Sequence, residues 1–536
     1  MKSRYRAVRT LAGTLAAAVG VSLAVASPAV AASSNSASAT PPVTIPALQS
    51  WTAATGTFTF TGKSRVLVNQ GDMPKLKPVA DLLATELGSR FGFKVKVASN
   101  GNKPDPGDIV IGLRKGIPGI GEQGYQLAVE KSASITAGTE DGAFNGTRTI
   151  LQLLKHGNTI PAGTARDWPT YPERGVMIDL GRMYLSLDWL KARVRDMAYL
   201  KLNTLQLHLS DDEGWRVQSN LGLQSAQYLT KNEIKSLVAY AATYHITVIP
   251  EIDMPAHLGV LLQKYPQYRL VDKNGNVSPT KIDFTIPAAR DLLKSIIAEY
   301  LPLFPGTYWH LGQDEYLANS QFANYPQLEQ YAKTTVGPNA TAKDAVIQFA
   351  NEMNRFIRSK CKVGRAWNDN VGPGTTIEID KNVVVQYWTD SDSEDLFGPN
   401  GPYTPQTLLD KGYQIVNDSL LPTYAYPSGG RTPQIHVNYL YDAWSVEQFY
   451  GYLYFEQNGT YVKILPVKTV AVGAPGLRGS MLNIWNSGGT WTQDEAATDI
   501  YPRMRIMAQK TWNSPQPAAD YTGFQPIIDQ VGSPNS

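Results

Sequence analysis

At 536 residues, 43% hydrophobic and 18% charged, the chain can bury more than one core and is too apolar for a disordered polymer. Its formal charge of +3 falls to about −1 (+3 less 4) once Lys2, Arg4, Arg6 and Arg9 are set aside, which removes any electrostatic case for nucleic acid or an anionic membrane as partner. A single cysteine, Cys361, excludes an internal disulfide and reads as packing, not as a nucleophile.

The basic start runs into an apolar, Ala-rich stretch from Leu11 to Val25 and then small residues through Ala31-Ala32. That order predicts a secretory signal peptide over 1–32, with an apolar run too short to be a membrane span, and hence a secreted protein. Residues 33–50, rich in Ser, Ala, Pro and Thr, read as a flexible leader. From 51 to 160 strand and helix patterns mix, with strands at Phe58–Phe60, Arg65–Val68, Lys94–Val97, Ile109–Ile111, Tyr125–Val129 and Ser134–Thr136 and helices at Val79–Phe91 and Gly142–Leu154. This is a smaller α+β domain. Pro161 to Pro172 carries Pro and Gly and reads as a linker.

Over 172–515 short apolar runs alternate with amphipathic ones, the sign of a parallel sheet wrapped by helices. Eight strands are predicted: Gly175–Asp179, Thr204–Leu209, Thr247–Ile252, Tyr308–Leu311, Gly364–Trp367, Val383–Tyr387, Tyr413–Val416 and Ser480–Trp485. Eight such units fit an α/β fold of the (β/α)8 TIM-barrel type, preceded by the smaller α+β domain. An open doubly wound sheet is the alternative, although no Gly-rich dinucleotide turn follows the first strand. Residues 516–536 are left as a C-terminal tail.

In a barrel the catalytic groups sit at the C-terminal ends of the strands, so those ends form one set. They read Asp179-Leu-Gly-Arg182, His208-Leu-Ser-Asp211-Asp212-Glu213, Glu251-Ile-Asp253 with His257, and Asp314-Glu315. Strands five to eight end in Trp367-Asn-Asp369, Trp388, Asn417-Asp418 followed by Tyr424 and Tyr426, and Trp485-Asn-Ser487. Each item alone has a bland reading as cap, core or surface charge. Their joint placement on one face does not. Two adjacent acids past a strand end can be held in different environments and given different work. Three Trp at the ends of strands five, six and eight suit a pocket for one sugar ring. Neither a HExxH or paired-His spacing nor a P-loop nor a Ser nucleophile elbow occurs, so no metal or cofactor is expected.

These motifs resemble glycoside hydrolase family 20, the β-N-acetylhexosaminidases, over nearly all of the chain after the leader. The resemblance rests on Gly124-Tyr-Gln-Leu, Arg174-Gly-Val-Met-Ile-Asp179, Leu207-His-Leu-Ser-Asp-Asp-Glu-Gly-Trp-Arg216, Ile249-Pro-Glu-Ile-Asp-Met-Pro-Ala-His257 and His310-Leu-Gly-Gln-Asp-Glu315. It implies substrate-assisted hydrolysis, an exception among the two-carboxylate glycosidases, in which the sugar's own acetamido carbonyl attacks the anomeric carbon. Glu315 would be general acid and then base, and Asp314 would orient the acetamido group. Asp253 with His257, and Asp211, would form their support. Arg182 would hold sugar hydroxyls, and Trp367, Trp388, Trp485 and Tyr424 would line the pocket.

Three departures stand out. Gln313 replaces a Gly of the family signature and is expected to place a side chain beside the acids, while Tyr426 and Ser487 stand where the family carries carboxylates. The expected activity is removal of terminal β-linked N-acetylhexosamine from an oligosaccharide or glycoconjugate. The departures keep open a lacto-N-biosidase-like enzyme that releases a disaccharide. A non-catalytic carbohydrate-binding protein is the reading from another class, and retention of the acids argues against it.

Overall fold

The computed structural model describes residues 40–101, 103–389, 401–427, 437–449, 453–455, 461–464, 467–487 and 489–534. The expected signal peptide and residues 33–39 of the expected leader lie outside them. A seven-stranded sheet comes first, with β1 (Ser50–Thr59), β2 (Arg65–Asn69), β3 (Lys96–Asn100), β4 (Ile109–Leu113), β5 (Tyr125–Val129), β6 (Ala133–Ala137) and β7 (Thr159–Asp167) in the spatial order β1-β7-β5-β6-β4-β2-β3. Helix α1 (Met73–Phe91) packs on it through Leu76, Val79, Ala80, Leu83 and Leu87, a spacing that lines one helical face. Helix α2 (Glu140–Leu153) starts where Thr139 accepts from the Gly142 amide at 3.2 Å.

Three expectations need correction here. The stretch expected as a linker is largely strand β7, paired to β1 on one side and β5 on the other. Ile160, Ala162, Ala165 and Asp167 are all buried, and Pro161 lies beyond Val129↔Gly163, the last pair with β5. Its missing N–H therefore removes nothing from that ladder. Next, the leader is packed from Thr44 onward: Ile45 is fully buried, and its amide donates to Gln152 Oε1 at 2.8 Å while Gln152 Nε2 donates back to the Ile45 carbonyl at 2.7 Å. Finally, the tail folds into a helix over Tyr521–Val531 that buries Phe524 and Ile528, with Phe524 stacked on Tyr441 at 4.3 Å.

The eight expected barrel strands are present as Glu173–Asp179, Thr204–His208, Thr247–Met254, Tyr308–Gly312, Val363–Trp367, Val384–Tyr387, Gln414–Asn417 and Leu477–Ile484. All neighbours are parallel, and strand seven pairs with strand eight, so the sheet closes. Helices at Leu187–Tyr199, Lys231–Thr243, Pro287–Tyr300, Ala342–Arg358 and Gln493–Trp512 surround it. No helix among the described residues is long and apolar enough to cross a membrane.

The barrel interior is polar to an unusual degree. Near its floor, Glu173 accepts from Arg365 at 2.6 Å and from Arg478 at 2.8 Å. Arg365 donates to Gln386, whose amide reaches Asp418 at 2.8 Å. Halfway up, Asp179, His208, Glu251 and His310 share one register across strands one to four. A buried polar group costs free energy unless paired, so this interior fixes the strands in relation to one another more specifically than aliphatic packing alone.

The small sheet is fastened beneath the barrel through Asp167. This carboxylate accepts from Lys201 Nζ at 2.9 Å, Tyr125 OH at 2.6 Å and Trp512 Nε1 at 2.8 Å, and Lys201 and Asp167 are both fully buried. Removing one partner of a buried ion pair strands the other charge. Lys201→Met should therefore lower stability by about 3 kcal/mol, read as a fall in the urea midpoint at unchanged slope.

Candidate active site

Strand four delivers Asp314 and Glu315 on an unusual backbone. Gly312, Gln313 and Glu315 have φ of 69°, 83° and 50°, the left-handed region that side chains other than glycine adopt at a cost of about 1–3 kcal/mol each. Gly312 has to be glycine for a second reason: a Cβ there would sit 1.6 Å from Asp253 Oδ1. The turn sends the acids to different surroundings. The Asp314 side chain is 13% exposed and that of Glu315 48%.

His257, itself at φ 56°, stands between them. Its Nε2 is 3.5 Å from Asp314 and 3.4 Å from Glu315, and its Nδ1 is 3.3 Å from Asp211 Oδ1. Asp211 Oδ2 in turn meets His208 Nε2 at 2.9 Å and Arg182 Nη2 at 2.6 Å. Behind His208, Nδ1 lies 3.2 Å from Glu251 Oε2. The result is an alternating row of charge from the barrel interior to the mouth: Glu251, His208, Asp211, His257, Glu315.

Burial opposes charge on both imidazoles, but Asp211 and Asp314 outweigh it at His257, as do Glu251 and Asp211 at His208, so both pKa values stand well above the ordinary one. Burial also pushes Asp211 up, yet His257, His208 and Arg182 bring it well below the usual carboxylate range. Glu315 is lowered, because contact with His257 outweighs burial.

The second set of acids behaves in the opposite way. Burial raises Asp253 far above the usual range and Asp314 adds to it, while neither Asp253 oxygen has a hydrogen-bond partner among the described residues. Burial also raises Asp314 against the pull of His257. Two carboxyl groups within 4.8 Å of one another in a dry site share a proton more readily than they carry two charges. Asp369 is raised by burial and Asp314 and has both oxygens engaged, one by the Glu315 amide at 3.0 Å and the other by Trp388 Nε1 at 2.5 Å.

Aromatic rings wall the same mouth. Trp367 lies 6.1 Å from Trp485, and Tyr424 lies 5.8 Å from Trp485 on its other side. Burial, reinforced by Tyr426, raises the Tyr424 phenol and keeps it a donor. The Arg182 guanidinium sits over Trp485 at 5.4 Å and is also bound to Asp179 at 3.0 Å. Trp388 has its place through Asp369.

Two expectations change. Gln313 does not enter the pocket: its turn folds the side chain back so that Nε2 donates to the Met254 carbonyl at 2.8 Å, and the residue is 2% exposed. The expected support is refined: His257 meets Asp211 directly at 3.3 Å, while Asp253 lies within 4.8 Å of both His257 and Asp314 without a hydrogen bond to either. Three residues were not singled out beforehand. Glu251 and His208 stood inside the quoted strand motifs, where period-two alternation aims them into the barrel, and Asp369 follows Trp367 by two. Burial of charge at strand ends was the available signal.

The set can move a proton at Glu315, hold a neutral or singly charged pair at Asp253 and Asp314, and seat an apolar ring face. Residues 171–515 match the family model described as Glycosyl hydrolase family 20, catalytic domain, and 41–168 match that of its domain 2. The chain belongs to glycosyl hydrolase family 20. Among its family 20 relatives, the lacto-N-biosidase of Bifidobacterium bifidum is 30% identical over 99% of this chain and 46% of its own length. A β-hexosaminidase of Porphyromonas gingivalis is 31% identical over 51% of the chain and 38% of its own length, so the chain spans less than half of either relative. The fold is shared with the chitobiase of Flavobacterium johnsoniae (TM-score 0.70, 23% identity, 91% of this chain and 72% of that one). It is shared also with the β-N-acetylhexosaminidase of Streptomyces coelicolor (TM-score 0.69, 23% identity, 91% and 94%).

The charge row sets a pH window. His257, raised in the folded state, contributes stability that is fully present below its unfolded pKa of about 6.5 and is lost as pH rises through the folded value. Asp211, depressed when folded, contributes stability that is present above about pH 4 and lost as pH falls. The melting-temperature gap between the wild type and His257→Gln should be widest near about pH 6 and shrink toward about pH 10 in a thermal scan.

Proposed function

We propose that the chain hydrolyses β-linked N-acetylhexosaminides by substrate-assisted catalysis, acting outside the cell as the signal-peptide pattern at its start suggests. The observation that carries this reading is the half-exposed Glu315 set beside His257 and next to the buried Asp314. The acetamido carbonyl oxygen attacks the anomeric carbon as the bond to the leaving oxygen breaks, and Glu315 delivers a proton to that oxygen. The product of this step is an oxazolinium ion on the sugar, with no bond to the protein. Water activated by Glu315, now a base, opens it and leaves the β configuration retained.

The surroundings lower Glu315 toward the ionised form and raise His257 toward the charged form, which makes His257, 3.4 Å away, the source of the proton that Glu315 delivers. A bound sugar covers the carboxylate, raises its pKa by desolvation and draws this spacing toward hydrogen-bond length. Asp314 accepts from the acetamido N–H and offsets the positive charge that grows on that nitrogen. Tyr424 donates to the acetamido oxygen, and Trp367, Trp388 and Trp485 confine the methyl group and ring face. Arg182, fixed by Asp179 and Asp211, meets sugar hydroxyls.

One observation favours release of a disaccharide. Tyr426 and Ser487 replace the carboxylates that resemblance places at the sugar's far edge, which frees that edge for a second ring. The B. bifidum lacto-N-biosidase also matches 99% of this chain.

Nitrophenyl β-N-acetylglucosaminide and nitrophenyl β-lacto-N-bioside, offered in parallel, separate the readings. Turnover of the monosaccharide alone supports the exo-acting hexosaminidase, and turnover of the disaccharide alone supports the biosidase. Sugar binding without turnover of either sinks both and leaves a carbohydrate-binding protein. Glu315→Gln should lower kcat by about 10²–10⁴ on whichever substrate is cleaved. A thiazoline mimic of the oxazolinium ion should inhibit at concentrations well below KM, and weak inhibition would remove the acetamido group from the mechanism.

A further inference from the structure

Glu251 is fully buried in the barrel, and four side chains surround it. Its Oε2 accepts from Gln206 Nε2 at 2.7 Å and lies 3.2 Å from His208 Nδ1. Its Oε1 accepts from the Trp367 indole at 2.9 Å and lies 3.3 Å from His310 Nδ1. The His310 ring is fixed in turn, because Nδ1 accepts from the Gly312 amide at 3.0 Å at the start of the left-handed turn. Because His310 Nδ1 accepts from Gly312, it makes no hydrogen bond to Glu251, and the fully buried carboxylate reaches the pocket wall through Trp367 and the row of charge through His208.

We propose, resting on the hydrolytic reading given above, that Glu251 is a positioning residue: its Oε2 fixes the charge on His208, and through Asp211 that on His257, while its Oε1 holds Trp367 in the pocket wall. The linkage follows from the donors available. His208 Nε2 is hydrogen-bonded to Asp211, and Nδ1 lies 3.2 Å from Glu251 Oε2 at ion-pair distance without an aligned hydrogen bond, so the two flanking carboxylate charges favour the imidazolium. Without the Glu251 charge, a neutral His208 turns a lone pair toward Asp211 or toward residue 251. Asp211 then loses one of three cationic partners, keeping Arg182 and His257, and binds a proton at higher pH. Once it does, the attraction that keeps His257 charged is gone.

The groups facing this row are few. Asp179 on strand one acts on His208 through space, and the edge of the Trp485 ring lies 5.0 Å from it. Asp212, Asp314 and Glu315 face His257. Asp253 is the remaining acid near Glu251. The Glu251 charge also helps to keep Asp253 and Asp314 raised, so its loss in the amide variant eases both toward the ionised form, which favours a charged His257 and opposes the expected shift.

The test is the pH profile of kcat/KM from about pH 4 to 9 for wild type, Glu251→Gln and Gln206→Met. In Glu251→Gln the acid limb should move up by about one pH unit, while KM should change little, because the amide oxygen can still accept from the Trp367 indole. Gln206→Met removes a hydrogen bond from the same carboxylate without removing its charge, and should leave the limb in place. A folded, active Glu251→Gln with an unmoved limb overturns the proposal, as does an equal shift in Gln206→Met. The wild type carries a second test by NMR of its imidazole carbons: His208 should titrate well above its ordinary value of about 6.5, and titration near that value overturns the proposal even if Glu251→Gln is insoluble. An inactive wild type whose His208 remains charged counts against the hydrolytic reading alone.

Discussion

A carboxylate held in a dry barrel mouth stays ionised only if cations surround it, and Asp211 is where this chain meets that demand. Arg182, His208 and His257 approach it from the segment after strand one, from strand two and from the loop after strand three. Each cation then has an orientation that the rest of the site uses. Arg182 lies over the Trp485 ring, His257 faces both reacting acids, and His208 passes the charge inward to Glu251. Loss of this one carboxylate would remove the partner that the three cations share and leave each to its separate ones, Arg182 with Asp179, His208 with Glu251 and His257 with Asp314 and Glu315. The neighbouring Asp253, Asp314 and Asp369 have no such surroundings and rise instead toward the neutral form, which is how one mouth keeps acids in two protonation states.

The arrangement depends on where side chains leave the strands. Asp179, His208, Glu251 and His310 share one register, so they meet without any loop having to be placed accurately. Strand four then departs from regular geometry: its left-handed residues turn Asp314 inward and Glu315 outward. Regular pleating supplies the support, and the break in it supplies the difference between the two acids.

Much of this could be read from residues alone. Short apolar runs alternating with amphipathic ones marked all eight barrel strands, and the strand ends named Asp314, Glu315, His257, Arg182 and the aromatic residues that the barrel gathers at its mouth. The misreadings have physical causes. Pro161 to Pro172 looked like a linker because Pro and Gly lower strand propensity, but over Pro161 to Asp167 pairing with two neighbours overrides local preference. Thr44 to Gln49 looked flexible because its composition says nothing about Gln152, more than 100 residues away, which holds it. Gln313 was expected in the pocket because sequence gives a side chain's position and not its direction, and a positive φ decided that direction. Glu251 and His208 lie in ordinary strand patterns, and their charge matters only because neighbouring strands bring them into contact.

Asp167 and Lys201 fasten the smaller sheet at the ends of the barrel strands opposite the reacting acids. Architecture and chemistry therefore occupy opposite poles of the molecule. Loops at the mouth can lengthen, shorten or exchange residues such as Tyr426 and Ser487 without disturbing what joins the two folded parts. A scaffold divided in this way can drift among glycan substrates while its fastening stays the same, and a chimera that takes only its upper loops from a relative keeps the whole lower half of this chain intact.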